Sequence, residues 1–288
     1  MHYSRGPQSH QELCKTLIRE NVLSTPELIE AFESTDRKYF SPAESPYGDH
    51  PYEIGGAATI SAPHMHALSL ELLSDNIILH PGDTEKSFCD VGSGSGYVTG
   101  LLAQMILKWR QNPTTASIGD KSRVVGVEVH PGLSKQSIEN ISKCNPEIAR
   151  INATDTPIYK IVNADGFKGE ILPFAPFDAI HVGVGVDQTP LGLISQLKPG
   201  GKCVIPVQSR YHGIQDLILY TRREESTDAL QPFVQEAMKV LHTNDNNKID
   251  SFTSKHFSSR PILQCRFIRA QTESSVPAHI PALRPNHD

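Results

Sequence analysis

The segment Asp90-Val91-Gly92-Ser93-Gly94-Ser95-Gly96 decides the architecture. It closes an apolar run at 87–91 and opens a helical pattern at 97–107. Glycines at alternate positions let a chain turn sharply and bring its backbone close to a ligand, because no Cβ stands in the way. The helix start behind the turn offers N–H groups that have no partner within the helix. Strand, glycine turn and helix in that order form a nucleotide-type site at a first βα connection. The spacing Gly-x-Gly-x-Gly differs from the dinucleotide Gly-x-Gly-x-x-Gly and from the P-loop, which also needs Gly-Lys-Ser/Thr. Gly94 stands where a nucleophile elbow would carry its serine, so this turn is not a nucleophile elbow.

Outward from this turn, short apolar runs at 87–91, 124–127, 159–162, 177–182 and 203–207 alternate with helical patterns at 97–107, 133–142 and 191–197. Such alternation predicts an α/β fold, a mostly parallel sheet covered by helices on both faces. Glu128 ends the second run, where a carboxylate can accept hydrogen bonds from both hydroxyls of a ribose. Asp165-Gly166 ends the third, where an Asp or its neighbouring backbone can meet an adenine edge. A plain Asp-Gly turn is the alternative there. The run of strand ends carries no basic phosphate cradle, which favours S-adenosyl-L-methionine over a dinucleotide. The expected cofactor residues are Asp90, Val91, Gly92, Ser93, Gly94, Gly96, Glu128, Asp165 and Gly166.

The first forty residues read as a helical cap. Leu13, Leu17 and Ile18 recur at helical spacing, and Ser24-Thr25-Pro26-Glu27 offers a capping hydroxyl, an early Pro and a Glu three residues after Ser24. Leu28, Ile29 and Phe32 would be the buried stripe of that second helix. Residues 47–56 read as a loop and 66–79 as a helix, while 108–121 and 145–157 read as polar loops. The chain divides into a catalytic unit at 1–243 and an extension at 244–288, with a late strand at 262–268 and disorder beyond 270.

Composition narrows the function. The chain has 288 residues, a formal net charge of -5 and 38% hydrophobic residues. No apolar run reaches the roughly 18–20 residues of a membrane span. An acidic balance argues against a sequence-independent nucleic-acid footprint. The five cysteines are odd in number, scattered and without a Cys-x-x-Cys pair, so neither a disulfide framework nor a thiolate zinc site is indicated. His64 and His66 are two apart, whereas a helical metal pair sits at i, i+4, so no metal is expected. A cytoplasmic monomer without nucleic-acid or membrane partners is the expectation.

Thr59-Ile60-Ser61-Ala62-Pro63-His64-Met65-His66-Ala67 closely resembles the signature of the protein-L-isoaspartate (D-aspartate) O-methyltransferase family. Asp36-Arg37, Phe40 and Pro42 fit that family's early segment, and Tyr47, Asp49, Pro51, Ile54 and Gly55 fit the loop before the signature. Residues 90–96 are similar to its cofactor loop, 175–183 to its fourth strand and 196–201 to the approach to its fifth. The resemblance runs from about Ser9 to Tyr220.

It implies a Rossmann-like methyltransferase fold. The implied activity is transfer of the methyl group of S-adenosyl-L-methionine to the free carboxylate of L-isoaspartyl and D-aspartyl residues in damaged proteins. The resulting ester then collapses to a succinimide, which starts repair. By the same resemblance Ser61, Thr59 and His66 are the catalytic candidates, and Ile60 and Gln215 belong to the substrate pocket. From the sequence alone Ser61 reads first as a cap for the helix that follows, since Pro63 lies just inside it, and one hydroxyl can serve both roles.

Three departures stand out: Val184-Gly185-Val186-Asp187 is bulkier than the family's small run, Gln208 replaces a usual Gly, and Val240-Leu241-His242-Thr243 only weakly resembles the closing Tyr-Val-Pro-Leu-Thr strand. They keep open a second reading, a cofactor-binding homologue without turnover that serves as an interaction module. A methyltransferase for nucleic acid or a small molecule is a third.

Overall fold

The computed structural model describes residues 6–270 apart from 43, 45, 169, 210–212, 225–229 and 244. The expected disorder beyond 270 lies outside the described residues. The chain opens with helices α1 (His10–Arg19) and α2 (Pro26–Glu33). A two-stranded antiparallel hairpin, β1 (Tyr52–Gly55) and β2 (Ala58–Ile60), leads into α3 (Pro63–Leu72) and α4 (Ser74–Ile77). Then come β3 (Ser87–Val91), α5 (Tyr97–Gln111), α6 (Ala116–Gly119), β4 (Arg123–Glu128), α7 (Pro131–Cys144), α8 (Pro146–Asn152), β5 (Tyr159–Asn163) and β6 (Phe177–Val182). The remainder is α9 (Leu191–Ile194), β7 (Leu197–Gln208), β8 (Gln215–Arg222), α10 (Leu230–His242), α11 (Asn246–His256) and β9 (Phe257–Cys265).

Seven strands form one sheet in the order β5-β4-β3-β6-β7-β8-β9. The first five strands pair in parallel, while β7–β8 and β8–β9 are antiparallel. From β3 the chain steps outward to β4 and β5, then returns to the other side of β3 with β6. The carboxyl ends beside that reversal are where open α/β sheets bind ligands.

Period-two alternation explains why both faces are covered. Phe88, Val124, Ala179 and Val204 pack into one apolar cluster with residues of α1, α2, α3, α5 and α7. Their neighbours Cys89, Val125, Ile180 and Cys203 pack into a second cluster with residues of α9, α10 and α11. A strand buried on both sides reads as a continuous apolar run, which is why these strands stand out in the sequence.

Several expectations need correction. The helical cap forms, but Glu27 makes no capping box. The α2 start is held by Glu71 of α3, whose carboxylate accepts from the Ser24 and Thr25 N–H groups at 2.6 and 2.8 Å and from both hydroxyls. Ile18 is exposed at 37%. The loop expected at 47–56 contains β1, and the polar stretches at 108–121 and 145–157 contain α6 and α8. The helix α8 begins on a cap from Asn145, which accepts from the Glu147 and Ile148 N–H groups. Val240 to His242 are helical and so do not form a closing strand. The late strand expected at 262–268 runs from Phe257 to Cys265 and pairs with β8 along Gln215–Arg222.

Candidate active site

The glycine turn is built by its own backbone. Gly92 and Ser93 donate to the Val127 carbonyl at 2.9 and 3.0 Å, and Gly96 donates to Ser93 at 2.7 Å. Gly96 is the N-cap of α5 at φ 86, and a Cβ there would sit 2.8 Å from the Ser137 Cβ, so only glycine fits. The turn therefore hugs α7 and points its free edge outward from the sheet.

Asp90 does not line the large cavity. It is buried, and its Oδ2 accepts from the Thr99 N–H at 3.0 Å and hydroxyl at 2.7 Å, while its Oδ1 lies 2.8 Å from His181 Nδ1. An ionised carboxylate only accepts, so His181 donates through Nδ1. Asp90 thus buttresses the turn by tying β3 to α5 and β6. It also lines the small chamber described below.

Beside the turn lies a cavity of about 730 Å³. Val91, Gly92, Gly94, Glu128, Asp165 and Gly166 line it, and so do Thr59 and Ser61. Glu128 is buried. Its Oε2 accepts from the Gly94 N–H and its Oε1 from the His130 N–H, both at 2.9 Å. Burial pushes its pKa above the usual carboxylate range, with the backbone hydrogen bonds pulling the other way. Asp165 Oδ1 accepts from the Phe167 N–H at 3.0 Å, which fixes the Asp-Gly turn at the end of β5. The expected turn and the expected site residue are therefore the same group.

A second, small chamber of about 30 Å³ shares Thr59, Ser61, Gly92 and Gly94 with the cavity and adds Ile60, His66, Asp90, Ser93 and His181. The signature segment and the glycine turn thus meet along one wall. Ser61 does not cap α3: the N-cap is Ala62, without a side-chain cap hydrogen bond. Arg37, fully buried, holds this corner by donating to the Ser61 carbonyl at 2.8 Å and the Pro46 carbonyl at 3.0 Å. His66 packs on the Tyr97 ring at 5.1 Å, with Nδ1 3.5 Å from Arg37 Nη1. Burial first, then the charge of Arg37, lowers its pKa well below the ordinary value, so His66 is neutral at pH 7.

At the start of α3, His64 hydrogen-bonds both Asp49 oxygens at 2.9 Å, and its backbone N–H donates to Oδ1 at 3.0 Å. The Asp49 hydrogen bond raises the His64 pKa. Burial pushes the Asp49 carboxyl up, but the His64 hydrogen bonds outweigh it and leave it low.

Gln215 does not line the cavity. Its Oε1 accepts from the Phe267 N–H at 2.9 Å, so it tethers the segment after β9. Residues 263–270 do line the cavity. Two bonds through Gly185 secure them: Gly185 N–H to Ile268 O and Ala270 N–H to Gly185 O, both 2.8 Å. The bulkier run after β6 is engaged here too, since Val184 packs against Gly92 and lines the cavity. Sequence reasoning did not single out Arg37, His181 or residues 263–270 as site residues. Arg37 and His181 lie inside the family-like segments, where their burial is invisible. No local signal marks 263–270, because a strand pairing across fifty residues sets their position.

The family description protein-L-isoaspartate(D-aspartate) O-methyltransferase matches residues 8–244. The chain is 38% identical over 223 residues to protein-L-isoaspartate O-methyltransferase 2 of Arabidopsis thaliana, covering 77% of this chain and 64% of that relative, just under two thirds of its length. It is 32% identical over 281 residues to a probable protein-L-isoaspartate O-methyltransferase of Dictyostelium discoideum, covering 93% of this chain and 81% of the relative. A crystal structure of a putative family member from Plasmodium falciparum in complex with S-adenosyl-L-homocysteine superposes with a TM-score of 0.67 at 26% identity, covering 92% of this chain and 99% of that one. With its mostly parallel sheet, its glycine turn and the signature wall beside it, the chain belongs to the protein-L-isoaspartate(D-aspartate) O-methyltransferase family.

Proposed function

We infer that the chain transfers the methyl group of S-adenosyl-L-methionine to the free carboxylate of L-isoaspartyl and D-aspartyl residues in damaged proteins. The observation that carries this is the shared wall: Thr59 and Ser61 face the same cavity as Gly92, Gly94, Glu128 and Asp165. The residues fit an adenosine-bearing cofactor. The cavity lies within the roughly 300–1,000 Å³ of small-molecule sites. Glu128 supplies a buried acceptor for ribose hydroxyls, and the Gly94 turn has no side chain to block approach. Glu128, Asp165 and the backbone of Gly92 and Gly94 would hold the cofactor, with Val91 and Gly166 beside them. When bound, it supplies a methyl group on an electrophilic sulfonium.

The chain's own residues have a light chemical task. An isoaspartyl carboxylate has an ordinary pKa near 4 and is already ionised at pH 7, so no strong general base is required. What remains is orientation and partial exclusion of water. The Ser61 hydroxyl, spared from capping, donates to the substrate carboxylate. Thr59 and Ile60, paired with Glu53 and Tyr52 of β1, fix the strand end that Ser61 follows. The neutral His66, packed on Tyr97 beside Arg37, adds no charge of its own to the chamber behind it.

In this reading residues 1–243 are the catalytic core and 244–288 an added extension, of which residues 263–270 wall the site. It acts as a monomer in the cytoplasm on damaged proteins, without nucleic-acid or membrane partners. No helix of the described residues is long and apolar enough to cross a membrane. The test is base-labile methyl incorporation into an isoaspartyl peptide. Ser61→Ala should lower kcat by about tenfold or more, the scale of one lost transition-state hydrogen bond, and leave the unfolding midpoint unchanged. Cofactor binding without incorporation would favour the interaction-module reading instead.

A further inference from the structure

Residues 263–270 line the cavity although they lie beyond the family match at 8–244. Backbone bonds to Gly185 and the Gln215 carboxamide fix them at three points, so this wall is held in place. Its charge differs from the rest of the cavity. The acidic lining residues, Glu128 and Asp165, are buried at strand ends and already accept hydrogen bonds from their own backbone. The lining residues that are always cationic, Arg266 and Arg269, both come from this segment and both are exposed. Arg269 is partly committed, donating to Gln208 Oε1 at 3.3 Å and lying 3.7 Å from Asp187. Arg266 has no hydrogen bond or ion pair among the described residues.

We propose that Arg266 is a specificity-determining residue that engages a carboxylate side chain flanking the isoaspartyl residue, so that acidic damaged sites are preferred substrates. The proposal rests on the methyltransferase reading above. The guanidinium is planar, permanently charged and presents five donors, which suits a carboxylate better than a neutral group. The cavity border is solvated, so one pair contributes a modest, salt-screened preference. The acidic overall charge makes this cationic wall a local feature, confined to one segment.

The test uses the full chain and three isoaspartyl peptides that differ at one flanking residue, Glu, Gln or Lys. The Glu peptide should exceed the Gln peptide in kcat/KM by about threefold to fivefold at low ionic strength, with the Lys peptide lowest. The difference should lie in KM and shrink in about 0.5 M salt, as screening shortens the Debye length. Arg266→Gln should bring the Glu-to-Gln ratio close to one, and Arg266→Lys should restore part of it. Fluorescence anisotropy of the same labelled peptides reads the binding preference without turnover. Equal kcat/KM for the three peptides, or a preference that survives in Arg266→Gln, overturns the proposal. Failure to methylate any peptide overturns the enzymatic reading instead, and anisotropy still decides whether Arg266 selects an acidic flank.

Discussion

Two buried carboxylates lie close to one another in this site and do different work. Asp90 spends both oxygens on its own chain, joining Thr99 and His181. Replacing it by Asn would turn one acceptor into a donor facing other donors. Asp90→Asn should therefore cost about 2–4 kcal/mol in urea unfolding, the range for breaking a buried charged network. Glu128 keeps lone pairs for a ligand while burial raises its pKa. The ionised form is the stronger acceptor for two hydroxyls, and protonation adds a competing donor, so cofactor affinity should fall as pH drops through a value above the usual carboxylate pKa. Calorimetric titration should show that fall, and Glu128→Gln should remove the pH dependence and weaken binding by roughly tenfold. The sign for stability is opposite. A raised folded pKa gives a contribution that is full below the ordinary pKa and lost as pH rises through the raised one. Both residues were legible in the sequence as strand-end acids. Their division of labour was not, because it depends on which neighbours each side chain meets.

Elements with local signals emerged from the sequence nearly in place. The β3 and β6 runs, buried on both faces, have the expected bounds, since a continuous apolar run needs no partner to be seen. The α2 start shows the limit: Ser24 and Glu27 spell a capping box, but Glu71, forty-seven residues away from Ser24, takes the N–H groups instead. The closing strand shows it more strongly. Residues near 240 are helical, and β9 with its following segment takes the wall of the cavity. Gln215 is the joint between β8 and that wall. Gln215→Ala should release the Phe267 N–H, cost about 1 kcal/mol of stability and raise the peptide KM more than it lowers kcat. A steady-state comparison on one isoaspartyl peptide checks this, and a pure kcat loss would place Gln215 in the chemistry itself.

At the scale of the whole molecule, a modest apolar fraction is distributed over two cores, one on each face of the sheet. The hairpin and the C-terminal segment line the cavity beside the glycine turn, while the helical cap packs with α5 in the apolar cluster on one face of the sheet. His64 and Asp49 join the loop before the hairpin to α3. The fold class and the cofactor side of the site were legible because strand, glycine turn and helix are consecutive in sequence. The substrate side was legible only in part, since its last wall arrives from beyond the family-like region. The most direct measurement presents the pure chain with methyl-labelled S-adenosyl-L-methionine and two peptides that differ only in Asp versus isoAsp at one position. Base-labile label is expected on the isoAsp peptide and none on the Asp peptide. Equal labelling of both, or label on neither while RNA or a small molecule is methylated, would contradict the isoaspartyl methyltransferase reading.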